Sequence, residues 1–172
     1  MLGAIGGLLI ISGCTLYGMS YSTRLKKRID ILKNFINIFE RMTGFIEYSI
    51  LDMQTIFTKL SEYDYCPEVK RFIKITLEEL NKSDMDTFGI IWNNTIKQSF
   101  VGIMKNDEIM ILNDAGKLSD YYDKENQINI IMSVKDECKG ALDVLKDGAR
   151  NKMKAYIAAG ISAGLILVIT LI

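Results

Sequence analysis

Apolar residues recur every three to four positions through most of this chain, and the rhythm breaks only at the two ends. Ile29, Leu32, Ile36, Phe39, Met42, Phe45 and Ile46 form one such stripe, the signature of an amphipathic helix. Asp52 is placed to cap a short helix through Tyr63 whose apolar face is Met53, Ile56, Phe57 and Leu60. Asp64-Tyr65-Cys66-Pro67 reads as a turn, and proline suits the first turn of the helix that follows. That helix carries Val69, Phe72, Ile73, Leu77 and Leu80 and ends near Asn81. A fourth begins at Asp84 or Asp86 with Phe88, Ile91, Trp92 and Ile96, and a fifth begins at Asn106-Asp107 with Ile109, Leu112, Ala115, Gly116 and Leu118. The last starts near Asp123 and shows Ile128, Ile131, Val134, Cys138, Ala141, Leu142 and Leu145. Alternating patterns are almost absent. The predicted fold is all-α, a bundle of about six helices.

The two ends are apolar all round. Residues 1–23 and 155–172 contain no charged side chain, and each run is about long enough to span a bilayer as helix. The chain therefore divides into a transmembrane helix at 1–23, a helical domain at 24–154 and a second transmembrane helix at 155–172. No helix breaker separates either run from the neighbouring domain helix. Arg24, Lys26, Lys27 and Arg28 follow the first run, and Arg150, Lys152 and Lys154 precede the second. Basic residues stay on the cytoplasmic side, so the domain is expected in the cytoplasm with both termini outside. A cleaved signal sequence is disfavoured because no Lys or Arg precedes the apolar core. Ile11-Ser12-Gly13-Cys14 resembles a lipobox, but that basic segment is missing and the apolar run continues to Tyr21.

Small residues lie within both runs. Gly160 and Gly164 make a small-xxx-small face, and Cys14 and Gly18 make another. Such faces let helix backbones approach closely. At about 1.5 Å rise per residue the two faces lie at similar depth. The spans are expected to pack there on each other or on a partner's spans, and a homo-oligomer is compatible with them.

Composition removes most chemistry. The sequence has 172 residues and no histidine, which excludes Ser-His-Asp and Cys-His catalysis and imidazole metal sites. Cys14, Cys66 and Cys138 form no C-x-x-C pair, so no zinc site or disulfide framework is indicated. P-loop and Gly-x-Gly-x-x-Gly motifs are missing. Asn81-Lys82-Ser83-Asp84-Met85 lacks the glycine and glutamate of a calcium loop, with Trp92 where the glutamate would stand. Glu78-Glu79, Asp107-Glu108 and Asp136-Glu137 are neighbours in sequence. They point to different sides of a helix and read as surface charge. The expectation is a protein without cofactor or metal, and not an enzyme.

The 21 basic and 21 acidic residues cancel, but they are segregated. Residues 24–33 hold five basic and one acidic residue, and 146–154 hold four and one, which leaves seven net negative charges on 34–145. The basic rims suit a membrane surface. The acidic middle can dock a basic partner, and with no basic patch in the domain, nucleic acid is not expected.

This layout resembles one family over its whole length. Gly6, Thr15 and Gly18 are followed by Arg28; Tyr48 ends the first long helix; Trp92 lies in an Ile-Trp-Asn stretch. Met104-Lys105, Asp107-Glu108, Leu112, Gly116, Leu118, Asp123 and Gln127 follow in order, and Gly160 and Gly164 precede the apolar tail. The pattern is similar to stage III sporulation protein AB of endospore-forming bacteria. It departs near Gly116–Asp123, where the chain is one residue shorter, and Leu118-Ser119 replaces a Leu-Gly pair.

The resemblance implies a domain similar to the helical domain of the type II secretion inner-membrane platform. It also implies a place in the complex linking mother cell and forespore, in the mother-cell-derived outer forespore membrane. The expected partners are a secretion-type ATPase, other stage III sporulation membrane proteins and the lipid bilayer. The alternative from the residues alone is a membrane-anchored helical signalling adaptor or sensor.

Overall fold

A computed structural model describes the backbone of residues 2–48, 51–82, 87–120 and 123–171, and the side chains of 23–48, 51–82, 87–118 and 123–148. The described residues form six α-helices and one 3-10 helix: α1 (Leu2–Tyr48), α2 (Met53–Ser61), α3 (Pro67–Lys82), α4 (Phe88–Phe100), α5 (Asn106–Asp114), the 3-10 segment Ala115–Asp120, and α6 (Lys124–Leu171). The all-helical fold and the helix count agree with the periodicity.

Local chemistry sets most of the boundaries. The Asp52 carboxylate accepts the Thr55 N–H at 2.7 Å and caps α2, which satisfies one of the N–H groups a helix start leaves unpaired. Pro67 opens α3, where its missing N–H removes nothing. Asp123 accepts the Asn126 N–H at 2.8 Å and starts α6. Two boundaries differ from the sequence expectation. The N-cap of α4 is Thr87, whose side chain makes no capping bond; Asp84 and Asp86 lie outside the described residues. The fifth helix stops as α-helix at Asp114 and tightens into the 3-10 turn. There Gly116 packs against α4 so closely that an added Cβ would lie 3.1 Å from Asn93 Oδ1 and 3.3 Å from the Gly89 carbonyl oxygen.

Six aromatic rings hold the centre. Phe35, Phe39, Phe57, Phe72, Trp92 and Phe100 are fully buried. Phe72 meets Trp92 edge-on at 5.2 Å and lies 5.3 Å from Phe35. Such pairs are worth about 0.5–1.5 kcal/mol each beyond the area they bury. Ile31, Leu32, Ile38 and Met42 of α1 extend this core towards Ile131, Val134, Cys138 and Leu142 of α6, and the two long helices pack lengthwise.

The same contacts give each helix a direction. Phe100 meets Phe35, and Phe88 meets Phe57 at the other end of the cluster. Helix α4 therefore runs back towards the N-terminal end of α1. Helix α5 reverses again: Glu108 pairs with Arg28 and the Leu112 carbonyl meets Trp92. The short helices thus lie alongside α1 as far down as Arg28.

Among the described residues no helix is long and apolar enough to cross a membrane. The crossings expected at 1–23 and 155–172, with Cys14, Gly18, Gly160 and Gly164, fall outside the residues with described side chains, Thr23 apart. The backbone of α1 and α6 continues through both segments as helix.

Candidate functional site

A buried ion pair joins the base of the domain. Arg28 Nε donates to Glu108 Oε2 at 2.9 Å, and Arg28 Nη2 donates to Glu108 Oε1 at 2.6 Å. Oε2 also accepts the Lys105 backbone N–H at 2.9 Å, which closes the first turn of α5. Glu108 is 3% exposed and Arg28 9%. Glu108 is therefore not the surface charge that its sequence neighbourhood suggests. Asp107 remains exposed, as do Glu78, Asp136 and Glu137.

Two-pronged geometry is what a guanidinium offers a carboxylate. Desolvation offsets much of the Coulomb gain of such a pair. Its contribution is placement: it fixes the start of α5 against α1, 80 residues away in sequence. Beside it, Lys27 pairs with Glu68 at 2.8 Å. That hydrogen bond holds the Glu68 carboxyl below its ordinary range and raises the Lys27 ammonium. Helices α3 and α5 are thus both tied to the first turns of α1 after the charge-free run.

Further from that end, the sequence-predicted residues split into two groups. Trp92 and Gly116 are brought together on the α4–α5 unit. Trp92 is fully buried and its Nε1–H donates to the Leu112 carbonyl at 2.7 Å, while Gly116 lies against Asn93 and Gly89. Around them Thr87, Gly89, Ile90, Asn93, Asn113, Asp114 and Lys117 line an open groove of about 340 Å³. Asn93 Oδ1 and Asn113 Oδ1 are buried and accept no hydrogen bond. Tyr48 is the last residue of α1 and 83% exposed. Asp123 caps α6, and the Asn126 N–H holds its carboxyl below the ordinary range. The Gln127 N–H bonds the Asp123 carbonyl at 3.2 Å in the same turn.

The two described cysteines are free thiols with packing roles. Cys138 is fully buried, and burial pushes it up to about 12. Cys66 is half-buried and also raised by burial. Neither offers a thiolate at neutral pH. Among the described residues no group of three or more Cys, Asp or Glu side chains could hold a metal ion.

The signature of the stage III sporulation protein AB family matches residues 3–172. The chain belongs to that family. No curated relative and no solved structure matches it significantly. The match places this stage III sporulation protein AB chain in sporulation, and it spans both charge-free ends as well as the domain. Within the chain, Arg28 and Trp92 gain physical roles in placing α5, the first through Glu108 and the second through Leu112. Arg28 had been singled out from the sequence, but its partner had not. An acidic residue at the third position of a helix is the one signal that pointed to Glu108, because a side chain there can reach back to the N-cap N–H.

Proposed function

We propose that this chain is a non-enzymatic platform protein of a stage III sporulation membrane complex. It crosses the bilayer at 1–23 and 155–172 and holds its helical domain in the cytoplasm. The proposed membrane is that of the mother cell around the forespore, and the proposed complex is secretion-like. The observation that carries this reading is continuity: α1 and α6 each run as one helix, of 47 and 48 residues, from a charge-free end into the packed domain. Arg28–Glu108 and Lys27–Glu68 tie the domain to α1 just past that end. A load on the domain would then reach the spans through packed helices and not through a slack linker.

The acidic domain surface is the proposed receptor for a secretion-type ATPase. Glu47, Glu78 and Glu125 are exposed and lie away from the basic rims. The test is co-purification of the full chain with that ATPase from sporulating cells. Glu47→Lys, Glu78→Lys and Glu125→Lys together should abolish recovery of the ATPase without lowering the level of the chain. Unchanged recovery would rule out the acidic surface as the docking face. Recovery of a signalling kinase or phosphatase in its place would favour the adaptor reading.

A further inference from the structure

We infer that the turn between α4 and α5, Val101–Lys105, is a second membrane contact that rests on the surface of the anionic bilayer. The inference rests on the two crossings proposed above. Helix α4 ends at Phe100, and its last residues point towards the N-terminal end of α1. The chain turns at Gly102, whose φ of +87° is the left-handed conformation that glycine adopts freely. The Ile103 N–H closes the turn on the Phe100 carbonyl at 3.0 Å.

Helix α5 then leaves in the opposite direction, with Glu108 level with Arg28. Arg28 stands five residues beyond Thr23, where the charge-free run ends, or about 7 Å along the helix axis. Lys105 precedes Glu108 by three residues on a helix rising away from that end, so the turn lies lower still. The headgroup layer is roughly 5–8 Å deep on each side of the hydrocarbon. The turn is therefore at headgroup depth.

What the turn presents fits that place. Val101 is 66% exposed, a mostly uncovered apolar tip. Lys97, one turn earlier on the same side of α4, and Lys105, just after the tip, are both exposed. Arg24, Lys26 and Lys27 are exposed on the neighbouring part of α1. An apolar tip with an exposed lysine on either side of it in sequence matches a layer of phosphates above acyl chains. A soluble surface would more often carry a polar residue at such a tip. The contact gives the domain a footing away from α1 and α6, so that it stands upright on the bilayer.

The test uses the full chain reconstituted in vesicles of phosphatidylglycerol or of phosphatidylcholine, with Cys14→Ala, Cys66→Ser and Cys138→Ala as background. An environment-sensitive dye is attached through Val101→Cys, and in a second sample through Ile90→Cys, an exposed apolar position at the other end of α4. Trp92 emission reports that each variant is folded. Blue-shifted emission and quenching by brominated lipid at position 101, absent at 90, is the expected result. Lys97→Glu with Lys105→Glu should remove most of the shift in phosphatidylglycerol. Retention of the chain through alkaline extraction with equal emission at 101 and 90 overturns the contact while leaving the crossings intact. Release of the chain on alkaline extraction overturns both.

Discussion

Replacing Arg28 by methionine isolates the contribution of the buried pair. Methionine keeps an unbranched apolar stem as far as the position of Nε, and removes the two hydrogen bonds of 2.9 and 2.6 Å. Glu108 is left buried with the Lys105 N–H as its remaining donor among the bonds described. An uncompensated buried charge of this kind costs about 3–5 kcal/mol. That is a large share of the roughly 5–15 kcal/mol by which a domain is stable. The expected loss in melting temperature is roughly 10 °C.

Glu108→Gln in the Arg28→Met background should recover most of it. The glutamine oxygen can still accept the Lys105 N–H, and no charge is then buried. The double variant should lie within about 1–2 kcal/mol of the parent, because replacing both charges of a buried pair is often close to neutral. Urea unfolding of the full chain in detergent micelles, followed by Trp92 emission, measures all four corners of the cycle. A cost below about 1 kcal/mol for Arg28→Met would mean that the pair does not hold α5 against α1. So would a double variant as unstable as the two singles summed.

Three more outcomes follow from the same structure. Trp92→Phe removes the indole donor from the buried Leu112 carbonyl, which keeps the Ala115 N–H, and should cost about 0.5–1.5 kcal/mol beyond the lost ring area; the same urea titration, read by circular dichroism, checks it. Cys138, pushed up to about 12 by burial, should resist maleimide at pH about 8 in the folded chain and react within the unfolding transition; half-buried Cys66 should react first. The Lys27–Glu68 pair sets a pH dependence at both limits. Glu68 is depressed, so its contribution is present above the ordinary carboxylate range and lost as pH falls through it. Lys27 is raised, so its contribution is present below its ordinary value of 10.5 and lost as pH rises past it. Glu68→Gln should flatten the acid limb of the stability profile, measured as melting temperature against pH.

The helices were legible because their signals are local. Asp52 three residues before the Thr55 N–H, Pro67 after a polar turn, and the 3–4 spacing of Ile29 to Ile46 each act within one or two helical turns. What was not legible depends on residues distant in sequence. Arg28 reads as one of four basic residues at a membrane rim, and Glu108 as half of a surface acidic pair; only the return of α5 alongside α1 brings them together. The break after Asp114 has the same origin. Ala115, Gly116 and Leu118 continue the apolar period, and it is the closeness of Gly116 to Gly89 and Asn93 that accompanies the change to a 3-10 turn. Direction was likewise hidden. Periodicity showed that α4 exists, but the ring contacts of Phe88 and Phe100 show which end lies near Arg28.

The proposed placement sets the domain in the cytoplasm on two helices that continue through the membrane. Its direct test is labelling with a membrane-impermeant maleimide in spheroplasts of vegetative cells that produce a cysteine-free full-length chain, so that the membrane holding it faces the medium. Single cysteines would be introduced by Gly3→Cys, Glu125→Cys and Ile172→Cys. Positions 3 and 172 should label in intact cells, and 125 only after permeabilisation. Labelling of position 125 in intact cells, or protection of either terminus, would contradict it.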